Sequence, residues 1–256
     1  MEERIRKRKI VLVGTGFVGM SFAYSLLSEK GINELVLIDM NKDKAIGEQM
    51  DLSDGLPYAD SKMSIKAGEY DECGDADIVV ITAGAAQKPG QTRLELVGIN
   101  ARITKDVATQ VKNAGFKGIL VVASNPVDIM TYVAYKASGL PKEHVIGSGT
   151  ILDTARLRYN ISKRLGMAPS NVHAYILGEH GDSSFVPWIH CYLGCKNLLE
   201  YIDEEDNLSL EDLQNIYLEV RNAAYEIIDR KKATYYGIGL ALKRLVSCLL
   251  NDEKAI

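Results

Sequence analysis

The stretch Lys9–Ser28, KIVLVGTGFVGMSFAYSLLS, decides the fold. Its first residues are mostly β-branched and apolar, its second half has the texture of a helix, and Gly14, Gly16 and Gly19 lie at the join. A G-x-G-x-x-G string means little alone, but between a strand and a helix it acquires a mechanism. Gly14 permits a tight turn, Gly16 leaves room for a pyrophosphate, and Gly19 lets helix and strand pack closely. The helix start at Phe17 and Val18 offers unpaired N–H groups and a positive dipole end to phosphates. Asp39 closes the next apolar run, twenty residues after Gly19. A carboxylate there accepts both ribose hydroxyls and repels a 2′-phosphate, so the expected cofactor is NAD rather than NADP.

Outward from this stretch, the apolar runs Lys9–Val13, Leu35–Ile38, Ser64–Ala67, Asp77–Thr82 and Ile119–Ala123 alternate with helical patterns at Val18–Ser28, Asp43–Leu56, Leu94–Asn113 and Val127–Ala137. Most of the runs are continuously hydrophobic, as expected for parallel strands covered on both faces. The order predicts an α/β fold, a doubly wound parallel sheet of the Rossmann type over residues 1–146. From 147 to 256 the texture changes. A helix at Ile151–Leu165, strand-like segments at Val172–Leu177 and Ser184–Trp188, and helices at Ser209–Lys232 and Thr234–Leu250 predict a second, α+β substrate domain. The acidic segment Asp203–Asp206 reads as a solvated loop.

Composition narrows the class. With 256 residues, 46% apolar, 25% charged and a net charge of −4, the chain is an ordinary globular protein rather than a nucleic-acid binder. The basic run Arg4, Arg6, Lys7, Arg8, Lys9 before an uncharged stretch imitates a signal peptide. Three glycines interrupt that stretch and no small-residue cleavage site follows Leu26–Leu27, so export and membrane insertion are not expected. The basic lead-in reads as a solvated approach to the first strand. Cys73, Cys191, Cys195 and Cys248 form no C-x-x-C pair, which fits reduced thiols in a cytoplasmic protein. His144, His173, His180 and His190 show no H-E-x-x-H or i,i+4 pairing, and no metal site is expected.

Two dinucleotide chemistries compete. Tyr132 and Lys136 make the Y-x-x-x-K of short-chain dehydrogenases, but the glycine spacing is different and no serine stands at the required distance. They read as neighbours one turn apart on an ordinary helix. The other reading centres on His180, in GEHGDS at 178–183. An imidazole flanked by glycines in a turn projects into a cleft, with an unperturbed pKa near 6.5 suited to proton exchange with a hydroxyl. Asp153 and Arg156 share one helix face at i and i+3. The carboxylate would orient and stabilise an imidazolium, and the guanidinium would hold a substrate carboxylate through two parallel hydrogen bonds. Arg158 lies about 200° around the helix from Arg156 and serves another surface.

At this point the chain resembles the bacterial L-lactate dehydrogenases within the lactate/malate dehydrogenase family. The likeness runs through GTGFVG at 14–19, Asp39, AGAAQKPGQTRLEL at 83–96, SNPVD at 124–128, GSGTILDTARLRY at 147–159, GEHGDS at 178–183 and ATYYGIG at 233–239. It implies His180 as proton donor and acceptor, Asp153 as its partner, Arg156 as carboxylate anchor and Arg93 as a mobile-loop residue polarising the substrate carbonyl. Asn125 would touch substrate and nicotinamide ribose, before a cis Pro126, and Ile238 would pack on the nicotinamide. In the malate branch an arginine meets the second carboxylate at the position of Gln87. A neutral Gln87 leaves that charge unpaired, which is costly in a dry site. Thr234 would pack near a methyl group, and both features favour pyruvate and L-lactate. Arg158 and His173 fall where bacterial relatives bind fructose 1,6-bisphosphate across a subunit interface. The resemblance also implies a homotetramer working in the cytoplasm at the fermentative end of glycolysis, with no nucleic-acid or membrane partner.

Members of this family are expected to continue for several tens of residues past Ile256, through strands and a helix. On that expectation the chain as written would leave Val172–Leu177 and Ser184–Trp188 poorly covered, with reduced stability and weak turnover. Ala86, before Gln87, is larger or polar in many relatives and bears on loop packing. The alternatives are a malate or other 2-hydroxy-acid dehydrogenase of the same fold, or a catalytically silent NAD-binding fragment.

Overall fold

The computed structural model describes residues 8–85, 93–202 and 208–255. It divides into two compact units, one formed by residues 1–148 with 235–256 and the other by 149–234.

The first unit is a six-stranded, all-parallel sheet. Its strands are β1 (Lys9–Val13), β2 (Glu34–Ile38), β3 (Ser64–Ala67), β4 (Ile78–Ile81), β5 (Ile119–Val122) and β6 (Val145–Gly147), in the order β3-β2-β1-β4-β5-β6. The helices are α1 (Phe17–Leu26), α2 (Lys42–Gly55), α3 (Arg93–Asn113) and α4 (Val127–Ser138). Strand side chains alternate between two apolar layers. Val11, Val13, Val36, Ile38, Val79 and Ile81 meet Val107, Ala108 and Val111 of α3 and Met130 and Ala134 of α4. Ile10, Leu12, Leu35, Leu37, Ile78 and Val80 meet Phe22, Ala23 and Leu26 of α1 and Leu52 of α2. Both faces being covered, the strands read as continuous apolar runs. The order reverses between β1 and β4, the switch point at which open α/β sheets place their ligands beyond the strand ends.

Helix α7 (Tyr236–Leu250), from the C-terminal part of the chain, packs within the first unit. Its Leu242 and Val246 complete the layer around Ile10 and Leu12. Gly239 lets it cross α1 closely, since a Cβ there would stand 2.7 Å from Ser21 Cβ. Lys9 is not solvated but only 4% exposed, and its Nζ pairs with Glu72 Oε2 at 2.7 Å and Asp75 Oδ1 at 2.6 Å. Residues 4–7, the acidic segment 203–206 and Ala86 lie outside the described residues.

The second unit holds α5 (Ile151–Leu165), α6 (Leu210–Lys231) and a small antiparallel sheet β7-β8-β9 of two-residue strands, Val172–His173, Tyr192–Leu193 and Lys196–Asn197. The expected strands at 172–177 and 184–188 shrink to β7 and a single bridge between Leu177 and Phe185. A capping box starts α6: Asp212 N–H donates to Ser209 Oγ at 3.0 Å, and Ser209 N–H donates to Asp212 Oδ2 at 2.8 Å. Leu157 and Ile161 of α5 pack with Leu213, Ile216 and Val220 of α6.

Candidate active site

In the first unit, Gly14 has φ +105°, and a Cβ there would lie 2.6 Å from Ala83 N. Gly19 is equally constrained, as its Cβ would meet Gly14 O at 2.1 Å. Gly16 differs. Among the described residues, a Cβ on it would find nothing within 4 Å and no side chain caps the start of α1. The first turn therefore carries uncapped N–H groups beneath open space, which fits a pyrophosphate. Phe17 is exposed and stacks on Tyr235 with ring centroids 5.1 Å apart, while Val18 packs inward against the α1 layer.

Asp39 stands beyond β2. Its Oδ2 accepts Thr15 N–H at 2.8 Å and Thr15 Oγ1 at 2.9 Å, and its Oδ1 accepts Asn41 N–H at 3.0 Å. Burial alone would raise its pKa, but the Asn41 and Thr15 hydrogen bonds and nearby Lys44 hold the carboxyl below its ordinary value. An ionised carboxylate thus lies at the strand end, fixed for ribose and hostile to an added phosphate. The donor set fits NAD.

At the ends of β4 and β5, Asn100 is a residue that sequence reasoning missed. It is 3% exposed, its Oδ1 accepts Ala85 N–H at 2.8 Å, and its Nδ2 donates to Asn125 O at 2.8 Å. One buried amide on α3 thereby ties two loop starts together. A polar residue on the inward face of an otherwise apolar helical pattern was the available signal. The Asn125–Pro126 peptide is cis. Ile238 is half-buried against the α1 layer. Arg93 opens α3, its side chain is not among the described parts, and Gln87 lies outside the described residues.

The second unit brings His180, Asp153 and Arg156 together. His180 Nδ1 is 2.5 Å from Asp153 Oδ2, and Arg156 Nη1 is 3.3 Å from Asp153 Oδ1. The Asp153 and Arg156 side chains are 12% and 15% exposed, that of His180 34%. Burial holds the Arg156 pKa below its ordinary value, against the opposing pull of Asp153. The carboxylate fixes the imidazole through Nδ1 and leaves proton exchange to Nε2. A cavity of about 110 Å³ adjoins, lined by this trio with Ile176, Ser184, Val220, Arg221 and others. Sequence reasoning did not find the α6 contribution to that wall, although Val220, Arg221, Ala224 and Tyr225 fall on one side of the helix. Thr234, after α6, is half-buried.

Arg158 faces elsewhere. Its Nε donates to Ala174 O at 3.0 Å, its guanidinium lies 4.6 Å from the Tyr175 ring centre, and His173, on β7 just before them, is exposed. Tyr132 is exposed, and Lys136 Nζ sits 5.2 Å from its ring centre rather than forming a catalytic pair with the hydroxyl. Among the described residues no helix is long and apolar enough to cross a membrane.

Models of the lactate/malate dehydrogenase NAD-binding domain and of its α/β C-terminal domain match residues 8–147 and 150–256. An L-lactate dehydrogenase from Lactococcus lactis subsp. cremoris is 53% identical over 253 residues, covering 99% of this chain and 81% of that protein. L-lactate dehydrogenase 1 of Bacillus cereus is 50% identical over 97% of this chain and 79% of its own. The crystal structure of a lactate dehydrogenase from a Medee basin deep-sea metagenome matches with a TM-score of 0.95 at 57% identity, over 98% of this chain and 80% of that one. The ligand-bound minor L-lactate dehydrogenase of Enterococcus mundtii gives 0.95 at 52%, with the same coverage. With the dinucleotide cradle and the imidazole–carboxylate–guanidinium trio in place, the chain belongs to the lactate/malate dehydrogenase family.

Proposed function

We propose that this protein is an NAD-dependent L-lactate dehydrogenase, interconverting pyruvate and L-lactate. One observation carries the reading: a single buried carboxylate, Asp153, holds an imidazole and a guanidinium side by side. NAD, when bound, supplies or takes the hydride at substrate C2. Gly14, Gly16, Phe17, Val18 and Gly19 would receive its pyrophosphate, Asp39 its adenosine ribose, and Asn125 and Ile238 its nicotinamide end. Arg156 would grip the substrate carboxylate in a two-pronged bond, and Thr234 would face the methyl group. His180 gives its Nε2 proton to the carbonyl oxygen during pyruvate reduction and takes it back in the reverse direction. Asp153 stabilises the imidazolium in the first case and fixes the neutral tautomer in the second. Arg93 would polarise the carbonyl, and a neutral Gln87 would disfavour a second carboxylate.

Arg158 on α5 and His173 on β7 would receive the phosphate of a sugar bisphosphate in a cytoplasmic homotetramer. Measurement of NADH oxidation with pyruvate and with oxaloacetate, each with and without fructose 1,6-bisphosphate, tests both parts. Faster turnover of oxaloacetate would overturn the substrate assignment. An unchanged pyruvate curve on adding the bisphosphate would remove the effector site, and Arg158→Gln should abolish any response without lowering saturated turnover.

A further inference from the structure

The loop that carries His180 runs from Gly178 to Ser184, with φ of +94° at Gly178 and +148° at Gly181. Backbone pairing of Leu177 with Phe185, at 2.9 and 3.0 Å, closes its ends. Nothing in that closure fixes the middle, where the imidazole sits between two permissive glycines. Helix α6 supplies the missing restraint. Arg221 Nη2 reaches Asp182 Oδ1 at 3.3 Å, two residues beyond His180. The Arg221 guanidinium lies 5.8 Å from the ring centre of Tyr217, one turn earlier, whose hydroxyl donates to Ser184 O. Ser184 Oγ in turn donates to Gly181 O at 2.9 Å.

We propose that Arg221 is a positioning residue for His180, tethering its loop to α6 through Asp182, with the Tyr217 ring as the platform for the guanidinium. The inference rests on the dehydrogenase reading, in which His180 must be held against Asp153 to exchange its proton. The charged and titratable groups around His180 are Asp153 and Arg156 on α5, Asp182 and Glu179 on its own loop, and Arg221 and Tyr225 on α6.

Signs separate a tether from simple electrostatics. Removing the Arg221 cation would by charge alone raise the His180 titration midpoint, and removing the Asp182 anion would lower it. Loss of a shared tether acts in one direction for both, because a loosened His180–Asp153 contact stabilises the imidazolium less. Arg221→Gln, Asp182→Asn and the double variant are compared with the wild type, after melting and NADH binding show that each is folded. The His180 midpoint is read by NMR, which needs no turnover, and kcat and KM by pyruvate reduction. The expected results are a lower midpoint in both single variants and a roughly fivefold lower kcat with little change in KM, in line with the effect of a part-exposed ion pair. The double variant should lose no more than either single one, and Arg221→Lys should restore most of the rate. Midpoints moving in opposite directions, additive losses in the double variant, or a raised KM with kcat intact would overturn the tether. A folded wild type that ignores pyruvate would overturn the dehydrogenase reading instead, leaving the NMR comparison to decide the tether.

Discussion

Gly16→Ala and Gly19→Ala probe two positions of one motif that face different surroundings. A methyl on Gly19 would press into the Gly14 carbonyl at 2.1 Å and Thr82 Oγ1 at 2.7 Å. The carbonyl is backbone within a strand-to-helix turn and cannot step aside, so overpacking costs about 1–3 kcal/mol. At about 2–4 °C per kcal/mol for a protein of this size, the free protein should melt roughly 2–12 °C lower. Gly16, with φ −73° and nothing among the described residues within 4 Å, accepts the methyl, and the melt should stay within about 2 °C of the wild type. That methyl instead fills the space over the first turn of α1. Displacing a pyrophosphate from one or two charge-assisted hydrogen bonds costs about 1.5–3 kcal/mol, a Kd for NADH weakened about 10- to 100-fold. Thermal melts of the free protein and NADH fluorescence titrations measure the two effects separately. If Gly16→Ala binds NADH like the wild type, or melts as low as Gly19→Ala, the cradle is misassigned.

Three further outcomes follow from the described geometry. His180→Asn should lower pyruvate turnover by about 10²–10⁴-fold with NADH binding intact in the fluorescence titration, since it removes only the proton carrier. Arg156→Lys keeps the charge but loses the planar fork, and should raise KM for pyruvate by about tenfold or more in steady-state kinetics. Asp39 has its carboxyl pKa depressed by the Asn41 and Thr15 hydrogen bonds, which outweigh burial. The stability this lends is present above the unfolded pKa and is lost as pH falls through the lower native value. In urea unfolding, the wild type's advantage over Asp39→Asn should therefore be full at pH 7 and shrink below about pH 4.

Five of the six parallel strands were legible: β1, β2, β4 and β5 are almost continuously apolar and buried, whereas β3, with an exposed Ser64 and a Lys66, fits only the alternating order. β6 was missed, being only Val145–Gly147 and short of any periodic signal. In the second unit, Tyr192–Leu193 and Lys196–Asn197 pair through backbone alone, and their side chains carry no strand signature. Asp153, Arg156 and His180 were readable because one helical turn and a glycine-flanked histidine state their own geometry. Asn100, Tyr217 and Arg221 were not, since a long amphipathic helix does not announce which loop its polar residues will meet.

The chain leaves the first unit after Ser148 and returns to it at Tyr235. Leu242 and Val246, which close the apolar layer over Ile10 and Leu12, are therefore synthesised about a hundred residues after β6, the last strand of the sheet they cover. At ribosomal speeds of about 5–20 residues per second, the nascent sheet waits roughly 5–20 s with that layer covered by α1 and α2 alone. A pause of this length invites chaperone capture, and it makes the order of translation part of how this protein reaches its native state.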